Sequence, residues 1–533
     1  MVNEGRLYSC VFFLFLMLPL LAWIFMDESV WIWDCADYGF FSVKSYDELV
    51  SNPRIWIQDI FTSQPYRAPL IFWIGQFFVP LGDMIGSVDA GLLIFMFLTS
   101  YLSVNMMYSI LEHLCKNKYI SALGCLMLIS APSFVGFTTH YYTQPLQLLA
   151  VVWSMHILSK IKKIDVVNLF FHTISLVAVS LLIKTTMLLY IIIPITANII
   201  YILKKWKKPL AIDTKTKMAG LTTLTLTTLT ITWYAKNYGS IVEYIIYSIS
   251  DYGFEDTFLN KMIYWLEVLY NSMLLPQTIV FLGILLLIYF RKTYKNIMTN
   301  TFGILSLAQI LLALTICSTA YIAEPNLMYP LIPYCIILFC LALKEIIDDR
   351  AYMAAIAVVV LQILTVYSMA FGLIENKIDS RIYVFSTIAG VNTEHKIIEN
   401  VSKSICKEGN SYGIIAADTY WFNQFALNYY TYKNHRNPEM NCKAYYMKFL
   451  LDNWYMTRDD DAVEEIWTKI EVYKPLYYIT LNRTIYPTPF MPFTGYSSII
   501  SEISERVKNS EMYEQVKVDE ENKVLFYKLR HKR

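Results

Sequence analysis

Long apolar runs, separated by short polar segments, fill the first 374 residues of the chain. Several of them reach the ~20 residues that an α-helix needs to cross the hydrocarbon core of a bilayer, which excludes a soluble protein. The pattern predicts about eleven transmembrane helices, at residues 7–26, 88–111, 119–134, 144–160, 165–183, 186–203, 217–235, 272–290, 301–322, 327–343 and 351–373. The first run is longer than the apolar region of a signal peptide and no small-residue cleavage site follows it, so it is predicted to be the first span.

Clusters of Lys and Arg between the apolar runs predict the orientation of the chain. Basic residues are enriched in cytoplasmic loops, and the clusters lie at residues 116–118, 160–163, 204–208, 291–295 and 344–350. Alternating spans then place the N-terminus in the cytoplasm and residues 375–533 outside. The short loops and the frequent use of Lys and Ile in the chain favour a bacterial inner (plasma) membrane.

One apolar stretch does not suit this scheme as a span. Residues 69–82 are short and end in Pro80-Leu81-Gly82, and counting them as a crossing would move the 160–163 cluster outside. They are therefore predicted to form an amphipathic helix on the outer membrane face. Two long external loops result, at residues 27–87 and 236–271.

Charged residues are unevenly distributed between the two parts of the chain. The whole chain has 44 Lys and Arg and 43 Asp and Glu, and residues 375–533 hold 42 of these charges. That segment is about 26% charged, which is typical of a soluble domain, whereas residues 1–374 are about 12% charged. The net charge of +1 argues against nucleic acid as a partner.

Alternating and helical patterns in residues 375–533 predict an extracytoplasmic α/β domain. The expected elements are strands at 412–416 and 476–480, helices near 419–431, 462–472 and 497–508, and a hairpin of 512–518 with 523–529. No catalytic constellation is apparent in this domain.

Ionisable residues collect on the predicted outer face. Charged groups at membrane depth are costly, so each is a candidate for function. Each lies at the outer end of a span or in an adjacent loop: Asp34, Asp37, Arg67, His140, Lys184, Lys236 and Glu324. Both acids and bases are present, as a reaction on a charged substrate requires.

The acidic segment Trp33-Asp34-Cys35-Ala36-Asp37-Tyr38 resembles a motif of the GT-C glycosyltransferases. Within that class the likeness is to the bacterial relatives of protein O-mannosyltransferases and lipid A aminoarabinose transferases. Four further segments resemble family motifs in the same order: Pro69-Leu70 with Leu81-Gly82, Lys184-Thr185, Trp233-Tyr234-Ala235-Lys236-Asn237-Tyr238, and Tyr329-Pro330-Leu331-Ile332-Pro333. Tyr38 stands where the family has a second carboxylate, and Met328 where it has an Arg.

This resemblance implies an inverting transfer of a sugar from a polyprenyl-phosphate donor to a glycan, lipid or protein acceptor. A carboxylate must take the proton of the acceptor, and Asp37 matches the catalytic position of the family, with Asp34 as the alternative. Cations or hydrogen-bond donors must stabilise the departing phosphate. The candidates for substrate binding are Lys184, Arg67, His140, Asn237, Glu324 and Tyr329.

Each of these residues also has a purely structural interpretation. Asp34 and Asp37 could solvate a loop, Lys184 could extend to the lipid headgroups, and Arg67 could hold the surface helix on anionic lipid. His140 could merely be hydrogen-bonded. Lys184 has no acidic neighbour in sequence, which favours a ligand anion as its partner.

Other functions compete with glycosyl transfer. A transporter or lipid-linked sugar flippase also needs charges in the membrane, but it tends to have internal repeats and sites at the midplane. A polysaccharide polymerase or ligase and a non-catalytic scaffold are further alternatives. The nine cysteines include no CxxC pair and do not suggest a metal site, although a divalent metal stays open. Cys406 and Cys442 could form a disulfide outside the cell.

Overall fold

The chain is described by a computed structural model. The residues described are 4–205, 213–251, 256–273, 300–319, 324–346, 349–380, 382, 384–390, 393–405, 412–417, 419, 422–436, 443–446, 461–482, 497–516 and 524–530. Cys406, Cys442 and nearly all of the predicted span 272–290 lie outside the described residues.

Helices dominate the first part of the chain. Their bounds are Glu4–Met26, Trp33–Ser51, Pro53–Asp59, Leu70–Gly75, Val79–Ile85, Val88–Cys115, Lys118–Ile129, Pro132–Thr139, Gln144–Ser159, Val166–Ile183, Leu188–Lys205, Thr214–Asp251, Phe258–Met273, Thr301–Thr319, Ile332–Ile346 and Asp349–Ala370. Short 3₁₀ turns at Gln76–Phe78, Thr185–Met187 and Pro325–Leu331 join some of them. The protein is thus a polytopic α-helical chain.

Six of the described helical segments are long and apolar enough to cross a membrane: Leu7–Met26, Val88–Cys115, Val166–Ile183, Thr185–Lys205, Thr301–Thr319 and Pro325–Lys344. A seventh crossing arises if the pair Lys118–Ile129 and Pro132–Thr139, bent by 62°, is one span. The predicted span 119–134 falls on this pair, and the helix breaks before Pro132 because proline lacks the N–H that would continue the helical hydrogen bonding.

Both predicted external loops contain helices. The segment 27–87, called the first external loop here after its predicted position, folds into the helix Trp33–Ser51, named here the acidic helix, and shorter helices after it. The predicted span 217–235 and the start of the predicted second loop at residue 236 belong to one helix, Thr214–Asp251, named here the long helix. The apolar segment Leu70–Ile85 is too short to span, and it buries Leu70, Ile71 and Phe72.

The C-terminal part contains a five-stranded mixed sheet. Its strands are β1 (Tyr412–Ala416), β2 (Lys443–Tyr446), β3 (Tyr477–Leu481), β4 (Tyr513–Val516) and β5 (Val524–Leu529), in the order β2-β1-β3-β5-β4. Strand β1 pairs in parallel with β2 and β3, while β5 pairs antiparallel with β3 and β4. The predicted α/β pattern and the closing hairpin are confirmed; β2 and the helix Thr393–Ile405 were not predicted.

Alternate residues of the sheet face two cores. Ile415 of β1 belongs to the large core that also contains the membrane helices. Its neighbours Ile414 and Ala416 face a second core, formed with the helices Asp461–Tyr473 and Ser497–Asn509. Because successive side chains of a strand point to opposite faces, the sheet packs on these two helices with one face and on the rest of the protein with the other.

The helix Gln424–His435, named here the docking helix, packs on the acidic helix. Tyr429 stacks on Trp31 with ring centroids 5.0 Å apart, and the Trp31 ring in turn stacks on Tyr141. A Cβ added at Gly39 would lie 2.8 Å from the Trp31 ring and 2.9 Å from Tyr429. Glycine at this position therefore permits the close approach of the two helices.

Candidate active site

Two carboxylates lie in the first turns of the acidic helix. Asp34 is half-buried, whereas Asp37 is 6% exposed. The helix begins at Trp33, whose φ of 32° lies in the left-handed region that is unfavourable for a large side chain. The partial positive charge of a helix N-terminus favours carboxylates here. The structure therefore places both predicted acids on one face of the acidic helix, near its N-terminus.

Arg67 joins the two carboxylates. Its Nη1 lies 2.6 Å from Asp34 Oδ1, and its Nε lies 3.6 Å from Asp37 Oδ2. The Arg67 side chain is 12% exposed. Nε and Nη1 make no hydrogen bond of good geometry within the described part of the chain, so these contacts are ion pairs that leave N–H directions unused. The neighbouring carboxylates hold the pKa of Arg67 above its usual range despite burial.

Gln64 provides a further contact to the buried acid. Its Nε2 donates a hydrogen bond of 2.6 Å to Asp37 Oδ2, and the residue is 1% exposed. Burial raises the pKa of Asp37 to about 6; the positive charge of Arg67 opposes this shift, the negative charge of Asp34 adds to it, and the Gln64 hydrogen bond opposes it. Asp37 can therefore exchange a proton near neutral pH.

Aromatic rings surround the Arg67 guanidinium. Its central carbon lies 5.5 Å from the ring centroid of Tyr38, 5.9 Å from Tyr66 and 5.6 Å from Phe425, which is within the range of a cation–π contact. Tyr66 also stacks on Tyr244 of the long helix at 5.5 Å. The wall of the site thus combines the first external loop, the long helix and the C-terminal part.

Lys184 and Glu324 form a second cluster. Lys184 lies between the spans Val166–Ile183 and Thr185–Lys205, and its Nζ is 3.5 Å from Glu324 Oε2. Asn326 donates a hydrogen bond of 3.2 Å to Glu324 Oε1. Lys184 has no acidic neighbour along the chain, but in the fold it pairs with Glu324 from a distant part of the chain; its predicted role in phosphate binding stays a prediction.

His140 and Asn237 make contacts mainly with the backbone. The His140 Nδ1 atom lies 2.9 Å from the carbonyl oxygen of Gly136. Asn237 Nδ2 donates to the carbonyl oxygens of Phe61 and Trp233, at 2.7 and 2.8 Å. These bonds give Asn237 a role in holding the long helix against the first external loop, and its predicted role in substrate binding stays a prediction.

Tyr329 is 1% exposed. Its ring lies 4.8 Å from that of Phe137, and its hydroxyl has no hydrogen-bond partner among the residues described. Among the described residues, Tyr329 makes no hydrogen bond or ring contact with the Asp37 cluster or the Lys184 pair. Of the predicted site residues, the structure brings together Asp34, Asp37 and Arg67 in one cluster and Lys184 and Glu324 in another.

Sequence reasoning missed Gln64, Tyr66 and Phe425. Gln64 and Tyr66 lie in the segment Ser63-Gln64-Pro65-Tyr66-Arg67, where proximity to the singled-out Arg67 was a usable signal. Phe425 is separated from Arg67 by most of the chain, so no local pattern could have indicated it. Within the described residues, no group of three or more His, Cys, Asp or Glu is placed to hold a metal ion.

Comparisons with known proteins bear on the fold. No family model matches the chain, and no curated protein is significantly similar to it in sequence. Its structure is similar to that of ArnT from Cupriavidus metallidurans in the apo state, with 11% identity, a TM-score of 0.57 and coverage of 98% of both chains. The same protein bound to undecaprenyl phosphate gives 10% identity and a TM-score of 0.55 over 98% of this chain and 97% of that chain.

A third structure is the archaeal oligosaccharyltransferase AglB from Archaeoglobus fulgidus, in complex with an inhibitory peptide and a dolichol-phosphate. It has 12% identity and a TM-score of 0.46 over 96% of this chain and 73% of that chain. Because the likeness to ArnT extends over nearly the whole of both chains, this polytopic chain has the same fold as ArnT.

Proposed function

We propose that this chain is an integral-membrane glycosyltransferase that moves a sugar from a polyprenyl-phosphate donor to a glycan, lipid or protein acceptor on the outer membrane face. The observation that carries the proposal is the buried Asp37 carboxylate, held by Gln64 and Arg67 beside Asp34. The fold supports it, since ArnT of the same fold binds undecaprenyl phosphate.

In the proposed reaction the acceptor hydroxyl attacks the anomeric carbon of the donor. Asp37 takes the hydroxyl proton as the new glycosidic bond forms. The bond between the anomeric carbon and the phosphate oxygen breaks on the opposite side, which inverts the configuration and releases polyprenyl phosphate. A pKa near the working pH is favourable for such a base, and the pKa of Asp37 is raised to about 6 by burial.

Arg67 is proposed to stabilise the departing phosphate. Its buried Nε and Nη1 atoms donate no hydrogen bond to other described residues, and a guanidinium can donate to two phosphate oxygens at once. Asp34 holds Arg67 in place through its ion pair. Lys184, at the outer end of two spans, is proposed as a second phosphate contact, in competition with Glu324.

The test uses the purified chain in detergent with radiolabelled polyprenyl-phosphate sugars and bacterial envelope extract as acceptor. Transfer of label in detergent supports an enzyme, because a flippase has no product without a sealed membrane. Asp37→Asn is expected to abolish transfer, while Asp34→Asn reduces it. Asp256→Asn is the matched control, since Asp256 is exposed in a loop. Full activity of Asp37→Asn would contradict the assignment of the base.

The same assay addresses the metal and the acceptor. Transfer with and without EDTA tests a requirement for a divalent cation. Fractionating the extract into lipid, glycan and protein before the assay identifies the acceptor class. No transfer from any donor to any fraction, with a correctly folded protein, would overturn the proposal in favour of a transporter.

A further inference from the structure

The orientation of the Gln64 amide follows from its neighbour. An ionised carboxylate only accepts hydrogen bonds, so the Gln64 NH₂ group must face Asp37 Oδ2, 2.6 Å away. The amide oxygen Oε1 then points elsewhere, and it is buried without a hydrogen-bond partner within the described ranges. Leaving a buried acceptor unpaired is unfavourable, because the atom loses its hydrogen bonds to water. An apolar residue of similar size would avoid this cost, so packing alone does not account for Gln64.

Gln64 and Arg67 both contact the same oxygen atom of Asp37. Gln64 Nε2 and Arg67 Nε approach Oδ2, at 2.6 and 3.6 Å. Asp37 Oδ1 receives no hydrogen bond from any residue that the structure describes. A carboxylate that is held through one oxygen keeps the lone pairs of the other for a proton, and its plane is fixed by the contact at the first oxygen.

We propose that Gln64 is a positioning residue for the base Asp37: its amide holds Oδ2 and thereby directs Oδ1 to the nucleophilic hydroxyl of the acceptor. This inference rests on the proposed glycosyl transfer and deepens it. Gln64 itself does not touch the reacting atoms. Its effect is on the direction of the Asp37 carboxylate and on the pH at which this carboxylate loses its proton.

The groups that face Asp37 come from several elements. Asp34 and Tyr38 belong to the acidic helix, Arg67 and Tyr66 to the loop that also carries Gln64. Tyr244 of the long helix lies behind Tyr66. Burial raises the pKa of Tyr66 to a value far above neutral pH, so the tyrosines stay uncharged. Arg67 stays positive, and the proton on Asp37 is governed by Asp34, Arg67 and Gln64.

The experiment compares Gln64→Glu with Gln58→Glu in the full-length protein. Gln58 is exposed on the same external loop and serves as the matched control. Gln64→Glu keeps the shape but replaces the donor with a second carboxylate next to Asp37. Like charges at this distance raise the pKa of one of the two carboxyl groups. The acidic limb of the pH profile of kcat/KM is therefore expected to move to higher pH by about one unit or more.

Two further measurements distinguish a positioning role of Gln64 from a purely structural role. Gln64→Ala removes the donor, so kcat is expected to fall about tenfold or more, with the KM for the donor lipid changed little. Its acidic limb should also move to higher pH, because the hydrogen bond that lowered the pKa of Asp37 is lost. A structural defect would instead lower the amount of folded protein without moving the pH profile, and thermal unfolding of each variant in detergent measures that.

The outcomes are distinguishable from failure of the proposed function. A wild-type protein without transferase activity refutes the proposed reaction. An active wild type with an inactive Asp37→Asn, together with a Gln64→Glu variant whose kcat and pH profile match those of the wild type and of Gln58→Glu, overturns the role of Gln64 alone. A shifted limb in Gln64→Glu and an unshifted one in Gln58→Glu support it.

Discussion

The ring of Phe425 lies 5.6 Å from the guanidinium carbon of Arg67. Phe425 belongs to the docking helix of the C-terminal part, and Arg67 to the first external loop. The cation that pairs with Asp34 and Asp37 is therefore covered by a residue more than three hundred positions away in sequence. The C-terminal part contributes directly to the wall of the candidate site.

Replacing Phe425 tests this contribution. Phe425→Ala removes one aromatic face from a largely buried guanidinium, a contact worth about 0.5–2 kcal/mol. The value of kcat/KM is expected to fall by about two- to thirtyfold, since 1.4 kcal/mol corresponds to a factor of ten. Tyr473→Ala is the control, because Tyr473 is 57% exposed in the same part of the chain. Equal activities of the two variants would show that Phe425 has no role in the site.

Arg67→Lys tests the geometry of the cation rather than its charge. Lysine carries a single point charge on a flexible stem, whereas arginine presents a planar fork. One ammonium group is not expected to pair with Asp34 and Asp37 and also donate to phosphate. We expect kcat to fall by at least about tenfold while the protein remains folded. Arg54→Lys, at an exposed position on the same loop, should retain full activity; steady-state rates distinguish the two.

The activity is expected to depend on pH through Asp37. As the proposed base, Asp37 must be deprotonated to act, and burial raises its pKa to about 6, so kcat/KM should fall as the pH drops through this value. Asp34→Asn removes the negative charge that raises the pKa of Asp37 and frees Arg67 to pair with it. Both changes lower that pKa, so the acidic limb should move to lower pH. A limb that moves to higher pH would contradict the described electrostatics.

The same shift has a consequence for stability with a definite sign. The folded pKa of Asp37 lies above the unfolded value of 3.8, so the ionised carboxylate destabilises the fold. This cost is absent below pH 3.8 and complete above about pH 6. At neutral pH it amounts to at most about 3 kcal/mol. The inactive Asp37→Asn variant should therefore be no less stable than the wild type at pH 7, which thermal unfolding measures.

Sequence patterns predicted the architecture well, because a membrane helix or an alternating strand leaves its pattern within a short stretch of sequence. Apolar runs predicted the approximate bounds of most spans, and the motif with Asp34 and Asp37 predicted the two carboxylates of the candidate site. The break before Pro132 was also readable in principle, since proline cannot continue the helical hydrogen bonds. The extension of the long helix to Asp251 was not, because the polar residues Lys236 and Asn237, followed by Gly239, interrupt the apolar run.

The partners within the site could not be predicted in the same way. Glu324 reaches Lys184, and Phe425 reaches Arg67, only after the chain has folded. A single sequence does not indicate which residues that are far apart along the chain will be in contact in the fold. For the same reason the absence of an acidic neighbour next to Lys184 along the chain did not mean that the residue was unpaired.

The pair of Lys184 and Glu324 gives a test in which two variants should change KM in opposite directions. The side chains are 27% and 39% exposed, and such exposed pairs contribute about 0–1 kcal/mol, so neither variant should unfold the protein. If Lys184 binds the donor phosphate, Lys184→Gln raises the KM for the donor. Glu324→Gln removes the competing carboxylate and should lower it. An unchanged donor KM in both variants would assign the pair a structural role.

Arg436 offers a test of how the C-terminal part is attached. It follows the docking helix with a positive φ of 39°, a position where glycine is usually favoured. Its guanidinium instead reaches Asp47 Oδ1 at 2.6 Å and Asp83 Oδ1 at 2.5 Å. Desolvation raises the pKa of Asp47, and the contacts with Arg436 oppose that shift. The backbone strain is therefore offset by an ion pair between the docking helix and the first external loop.

Arg436→Gln should leave the half-buried Asp47 without its cation and destabilise the protein by about 1–3 kcal/mol. The docking helix should then separate from the acidic helix more readily, which limited proteolysis detects as faster cleavage between the membrane part and the C-terminal part. Adding Asp47→Asn removes the unpaired charge and should restore part of the stability. Arg506→Gln is the control, because the carboxylates that Arg506 contacts, Glu464 and Glu502, are 67% and 56% exposed. If Arg436→Gln and Arg506→Gln change the unfolding temperature equally, the Arg436 pair does not hold the two parts together.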